Sequence, residues 1–272
     1  MLSQADDLLT EIHSIADLLA PLADPLFETV TAFKDWTIND VLRHLHVWNH
    51  AAFLSYAQPE DFQAFMARVQ NSGKAGQSMR DVEREASDGL GGQALVRRWV
   101  AYAGEMCSAM RTADPAKRVK WAGPDMSVRS SVSARLMETW AHGQEIYDVL
   151  GVERHSGEHI RNIVVLGYNT YGWTFRNRRL AVPEPTPGLR LVSPLGETWT
   201  YGDVAGEELV SGSAEAFCQV VTQVRNIADT TLEVRGPNAQ AWMAIAQCFA
   251  GPPSDPPETG SRRMAATRLV PV

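Results

Sequence analysis

Three prolines in five positions, Pro183-Glu-Pro-Thr-Pro187 followed by Gly188, split the chain into two parts of different character. No helix continues through such a run, because each proline fixes φ and removes a backbone donor. Before it, apolar residues recur at helical spacing. Leu8, Leu9, Ile12, Ile15, Leu18 and Leu19 make a first amphipathic helix that stops at Pro21. A second runs from about Ile38 to Tyr56, with Thr37 or Asn39 as N-cap. Leu95–Arg111 forms a third. Ser127 caps a long helix to Leu150, with Gly151 just past its end, and His155 to about Arg178 forms another. The polar stretch from Asn71 to Gly92 reads as loop or weak helix. Short connections between four or five helices predict an up-and-down bundle over 1–182.

After the prolines the period changes from 3.6 to 2. Leu189–Ser193 and Thr198–Tyr201 read as strands around the turn Pro194-Leu-Gly196, and Glu208–Ser211 as a third. Ala214–Ile227 reads as a helix, Thr231–Arg235 as a strand and Asn238–Phe249 as a helix. The expectation for 183–250 is a small α+β domain, which makes the whole chain α+β. The Pro-, Gly-, Ser- and Arg-containing tail, 251–272, is expected to be mobile.

Charge and composition exclude several classes of function. The net charge is −7 and no basic run exceeds two residues, so the electrostatic footprint of a nucleic-acid binder is absent. No 18-residue apolar stretch exists, so no membrane span is expected, and the acidic N-terminus lacks a signal pattern; a cytoplasmic location is the expectation. Cys107, Cys218 and Cys248 are widely spaced and odd in number, which in a reducing compartment suits buried thiols better than a disulfide.

Chemistry concentrates on the long helix. Glu138 and His142 are four residues apart and share a helical face, a spacing that lets carboxylate and imidazole hold one divalent ion. Their stripe also contains Ser131, Arg135, Glu145 and Val149. A solvated face with an Arg135–Glu138 ion pair is the bland alternative. Most of the remaining circumference is apolar, with Val128, Val132, Leu136, Met137, Trp140, Ile146 and Leu150, which favours a buried helix whose polar stripe needs partners or a metal. The second helix offers His44, His46 and His50. His44 and His46 flank its apolar face on opposite sides, and periodicity does not choose between them.

The segments Trp36-x-x-x-Asp40-x-x-x-His44-Leu45 and Ala134-Arg-Leu-Met-Glu138-Thr-Trp-Ala-His142-Gly-Gln144 resemble motifs of the DinB-like metal-binding bundles. The nearer likeness is to their actinobacterial branch of the mycothiol-dependent maleylpyruvate isomerase type. Gly196–Tyr201, Phe217–Arg225 and Ala228-Asp-Thr230 resemble the small SCP2-like α+β domain of that branch. The resemblance implies a DinB-like bundle followed by an SCP2-like domain. It implies His44, Glu138 and His142 as ligands of a divalent metal, with zinc expected, and mycothiol as co-substrate. It implies that Arg225 acts in catalysis, where a guanidinium can clamp a carboxylate. Glu145 stands where relatives often carry Asp, and Trp48-Asn49-His50 replaces an often acidic pocket segment; both departures bear on the substrate. Arg135 and Glu145 are candidates for orienting the ligands, and Tyr168, Trp173 and Arg176 for lining a pocket.

The implied activity is that of a metal-dependent thiol transferase or isomerase acting on a small electrophile. The competing readings are a metal-activated-water hydrolase and a non-catalytic metal- or small-ligand-binding protein. The expected partners are a small-molecule substrate and a small thiol. The oligomeric state is left open, a homodimer included.

Overall fold

The computed structural model describes residues 1–269 and separates into two compact units, Met1–Val152 together with the chain from Met264, and Glu153–Arg263.

The first unit is helical. Its core is made by α1 (Ser3–Leu19), α2 (Ile38–Ala57), α5 (Gly92–Met110) and α6 (Val128–Leu150). Leu8, Ile12, Ile15, Leu42, Leu45, Trp99, Leu136 and Ile146 are fully buried among them. The caps are those the sequence predicts. The Thr37 hydroxyl accepts from the Asp40 amide while the Asp40 carboxylate accepts from the Thr37 amide, and Gly151 ends α6 at φ 65°. Between α2 and α5 the structure has more helix than the sequence suggests. Pro59 begins α3 (Pro59–Lys74), and a second capping box, Ser78 with Asp81, starts α4 (Met79–Ala86). A two-residue hairpin, β1 (Arg118–Val119) with β2 (Met126–Ser127), precedes α6.

The second unit carries α7 (Arg161–Asn169), α8 (Tyr171–Asn177) and a four-stranded mixed sheet. The strands β3 (Gly188–Val192), β4 (Thr198–Tyr201), β5 (Leu209–Ser213) and β6 (Glu233–Arg235) lie in the order β4-β3-β5-β6. β3 and β5 are parallel, in the register Leu189↔Val210, and the other pairs are antiparallel. The helices α9 (Ala214–Val221) and α10 (Pro237–Met243) complete the unit. Leu189, Leu191, Val210, Phe217 and Trp242 form its buried interior.

Three expectations are corrected. The boundary falls at 152/153 rather than 182/183, because α7 packs on α9: a Cβ on Gly167 would lie 2.9 Å from Val221 and 3.0 Å from Phe217. The helix expected over 155–178 is two helices interrupted at Thr170. The second, α8, reaches the 247–249 segment through the Thr174–Gln247 and Trp173–Phe249 bonds. The tail is not loose where it is described. Ala265 and Leu269 amides donate to the Asp148 and Leu150 carbonyls in the last turn of α6, and Gln223 Nε2 and Asp229 hold Ser254 and Gly260. Residues 270–272 of the tail lie outside the described part. Among the described residues no helix is long and apolar enough to cross a membrane.

Candidate metal centre

α2 and α6 pack side by side and bring three ligand atoms together. His44 Nε2 lies 3.6 Å and His142 Nε2 3.4 Å from the same oxygen, Oε2 of Glu138. All three ligand atoms fall within 4.8 Å of one another. The side chains are 12–23 % exposed, low enough to be desolvated and open enough for a ligand to approach.

The spacing can be tested against a bound ion. Two donors, each about 2.1 Å from a tetrahedral ion, stand roughly 3.4 Å apart. The observed 3.4 and 3.6 Å match that edge and are longer than a good charged hydrogen bond. Two imidazoles and a carboxylate are a donor set that zinc and its neighbours accept, and three protein ligands leave a fourth position open.

The bland reading of the polar stripe on α6 does not hold. Ser131, Arg135 and Glu145 are buried, and Arg135 Nε donates 3.0 Å to Asn49 Oδ1 on α2. Arg135 therefore faces inward, where its charge acts on Glu138. His46 and His50 are turned away from the triad, each edge-on to Tyr102 of α5 at 5.6 and 5.5 Å. Burial and the charge of Arg98 push His46 down to about 4.

Electrostatics inside the triad are uneven. Burial works against charge on all three groups. At Glu138 the neighbouring His142 and His44 rings and the charge of Arg135 override it and hold the carboxyl well below its usual range. At His44, the neighbouring Glu138 carboxylate and the hydrogen bond to Glu83 prevail over burial and raise the pKa. At His142 burial prevails, aided by His44 and Arg135, and the pKa is lowered. Metal-free, the site thus holds an ionised Glu138, and a cation binding there takes the neutral form of each histidine.

Aromatic rings close the surroundings. Trp36 stacks on His142, Phe33 meets that ring edge-on at 4.9 Å, and Trp48 lies beside His44. Glu83 on α4 is a member of the site that sequence reasoning missed. Its Oε1 lies 2.8 Å from His44 Nδ1 and 2.9 Å from Trp48 Nε1. The one signal for its helix was the Ser78-x-x-Asp81 capping box; nothing local marks Glu83 itself.

The remaining candidates lie in the second unit. Arg225 is half-buried and sits four residues beyond the end of α9, not on that helix, with Nη1 donating to the Val224 carbonyl. Tyr168 packs against Tyr201, and the Trp173 indole donates to the Phe249 carbonyl. The three cysteines are buried. Burial lifts Cys107 to about 12 and Cys218 well above the ordinary thiol value.

Comparison with known proteins gives a consistent family. The profile described as "Mycothiol maleylpyruvate isomerase N-terminal domain" matches residues 8–147, which contain the whole triad. Two uncharacterised proteins of Mycobacterium tuberculosis, from strains CDC 1551 / Oshkosh and ATCC 25618 / H37Rv, are each 33% identical over 247 residues, covering 91% of this chain and 95% of theirs. A crystal structure of a mutant of the mycothiol-dependent maleylpyruvate isomerase shares the fold at TM-score 0.50 and 16% identity, covering 80% of this chain and 87% of that one.

Proposed function

The chain belongs to the mycothiol maleylpyruvate isomerase N-terminal domain family, and on that premise we propose that it is a divalent-metal enzyme, most simply a zinc enzyme, that uses a small thiol such as mycothiol. The observation that carries the reading is the placement of His44 Nε2 and His142 Nε2 at tetrahedral-edge distance from one Glu138 oxygen. When bound there, a divalent ion supplies the positive charge that keeps a thiol deprotonated near neutral pH.

The nucleophile is external. Cys107, Cys218 and Cys248 are buried, and a buried protonated thiol does not attack. The substrate class is a small alkene conjugated to a carbonyl. Thiolate adds to one alkene carbon, a C–S bond forms, and the π pair moves onto the carbonyl. The former double bond is then single and rotates. When the electron pair returns, the C–S bond breaks and gives the trans alkene with thiolate regenerated. No oxidant or reductant is consumed. An S-transfer reaction would share the first bond-forming step and differ in what leaves. Phe33, Trp36 and Trp48 keep bulk water from the thiolate, and Arg225 is proposed to take a substrate carboxylate.

The test is metal analysis of wild type and His142→Ala, followed by calorimetric titration with mycothiol, with and without chelator. The expected result is near-stoichiometric metal in wild type, little in the variant, and thiol binding only to the loaded form. Equal and negligible metal in both proteins would overturn the metal reading. Thiol binding that ignores chelator would overturn the thiol chemistry. Arg225→Met should raise the KM for a carboxylate substrate about 10-fold or more while leaving metal content unchanged.

A further inference from the structure

His44 and His142 are held in place by different means. His142 lies between rings, Trp36 parallel to it and Phe33 edge-on. His44 is tied by its far nitrogen to a buried carboxylate, Glu83, which is 1% exposed on α4. The same oxygen of Glu83 receives the Trp48 indole N–H. An indole can only donate and a carboxylate can only accept, so the proton between Glu83 and His44 sits on Nδ1. In the neutral ring, the form that binds a metal, the lone pair is then on Nε2, the atom facing Glu138.

We propose that Glu83 is the positioning residue of this centre, fixing the ring and tautomer of His44 so that Nε2 is presented to a metal ion. The inference rests on the metal reading and adds to it the residue that makes His44, rather than a freely turning imidazole, the ligand. A buried carboxylate costs far more than an apolar side chain at the same position, and only Glu83 and Val82 of α4 are buried. The cost is offset by His44, by Trp48 and by the charge of Arg135, which acts on Glu83 as well as Glu138.

The short helix that carries Glu83 is held in register from α2. Asp40 is one turn before His44 and 5% exposed, and it lies 3.7 Å from Arg80 and 3.9 Å from Arg84, the residues that bracket Glu83. It also pairs with Arg43 at 3.2 Å, and Arg43 Nε donates to the Leu90 carbonyl beyond α4. Asp40 thus caps α2 and anchors α4, and the anchoring puts Glu83 behind His44.

The experiment compares zinc affinity at pH 8, by chelator competition, for wild type, Glu83→Gln, Glu83→Ala and Glu85→Ala. Glu85 is exposed on the same helix and pairs with Arg68. Imidazole 1H–15N spectra of the metal-free proteins follow the His44 Nδ1 proton. Removing a partner that orients a metal-bound histidine weakens binding by about 10–100-fold. That loss is expected for Glu83→Ala, a smaller one for Glu83→Gln, whose amide oxygen still accepts, and none for Glu85→Ala. The slowly exchanging Nδ1 proton should survive in Glu83→Gln and vanish in Glu83→Ala. Wild-type affinity in folded Glu83→Ala, or an unchanged Nδ1 proton there, overturns the proposal. Should Glu83→Ala not fold, wild-type affinity in Glu83→Gln does the same. If wild type itself takes up no zinc, the metal reading has failed, and the Nδ1 proton alone decides whether Glu83 orients His44.

Discussion

The Trp36 indole stacks on the His142 imidazole, with centroids 5.7 Å apart and planes 9° from parallel. The same indole is tilted against His44 at 5.2 Å, so one side chain touches both histidines. Trp36→Ala should therefore loosen both rings. We expect a loss of about 2 kcal/mol in stability, below the figure for a fully buried Trp because Trp36 is half-buried. Zinc affinity should fall several-fold, while Trp36→Phe should retain most of both. Denaturant unfolding with chelator competition reads the two effects separately.

The turn that presents Phe33 and Trp36 carries strain. Trp36 N–H donates to the Phe33 carbonyl, and both residues between them are left-handed, Lys34 at φ 51° and Asp35 at φ 55°. Two positive φ values suit Asn-Gly in a turn of this kind, and non-glycine residues adopt them at a cost. Asp35→Gly keeps the Asp35 carbonyl that accepts from Arg80 and the Lys34 ammonium 5.0 Å above the Phe33 ring. It should stabilise the protein by about 0.5–1 kcal/mol with zinc affinity unchanged, measured by urea unfolding. A destabilised variant would mean that the backbone there is not strained.

These features divide by how local their causes are. The core helices, the Thr37 cap, the Gly151 stop and the α+β change after Pro187 were legible because each depends on residues a few positions apart. Glu83 was not, since its partner His44 is 39 residues away and α4 is a polar helix held by Asp40 and a cap rather than by an apolar stripe. The choice of His44 over His46 depends on the rotation of α2 against α5, where Tyr102 takes His46 and His50. The boundary at 152/153 follows from where Gly167 packs, which no linker composition reveals.

Arg135 is the buried cation nearest to the problem of two acidic groups at one site. It hydrogen-bonds Asn49, and its charge acts on Glu138 and Glu83. Arg135→Met keeps much of the volume and leaves those carboxylates without it. Metal-free protein should lose roughly 3–5 kcal/mol, as when one partner of a buried charged pair is removed. A bound divalent cation replaces the missing charge, so zinc should raise the melting temperature of Arg135→Met more than that of wild type. Equal shifts in thermal melts with and without zinc would show that Arg135 does not compensate Glu138.

The thiols give a prediction with a definite pH sign. Cys107 is buried and its pKa is lifted to about 12, and Tyr102 also stands at about 12, burial being the main cause in both. A thiol-reactive dye at pH 8 should therefore find almost nothing in the native protein and three cysteines after denaturation. Fast labelling of a native thiol would reopen a chain-borne nucleophile. Above the ordinary thiol pKa the unfolded chain releases the Cys107 proton while the folded chain keeps it. Folded protein then binds more protons, so stability is full below about pH 8.5–9 and falls as pH rises toward 12, by up to about 1.4 kcal/mol per pH unit from this group. Cys107→Ala should flatten that fall while costing some core packing at neutral pH. Urea midpoints from pH 7 to 10.5 for wild type and variant measure the slope, and parallel curves would show that the Cys107 proton is not the cause.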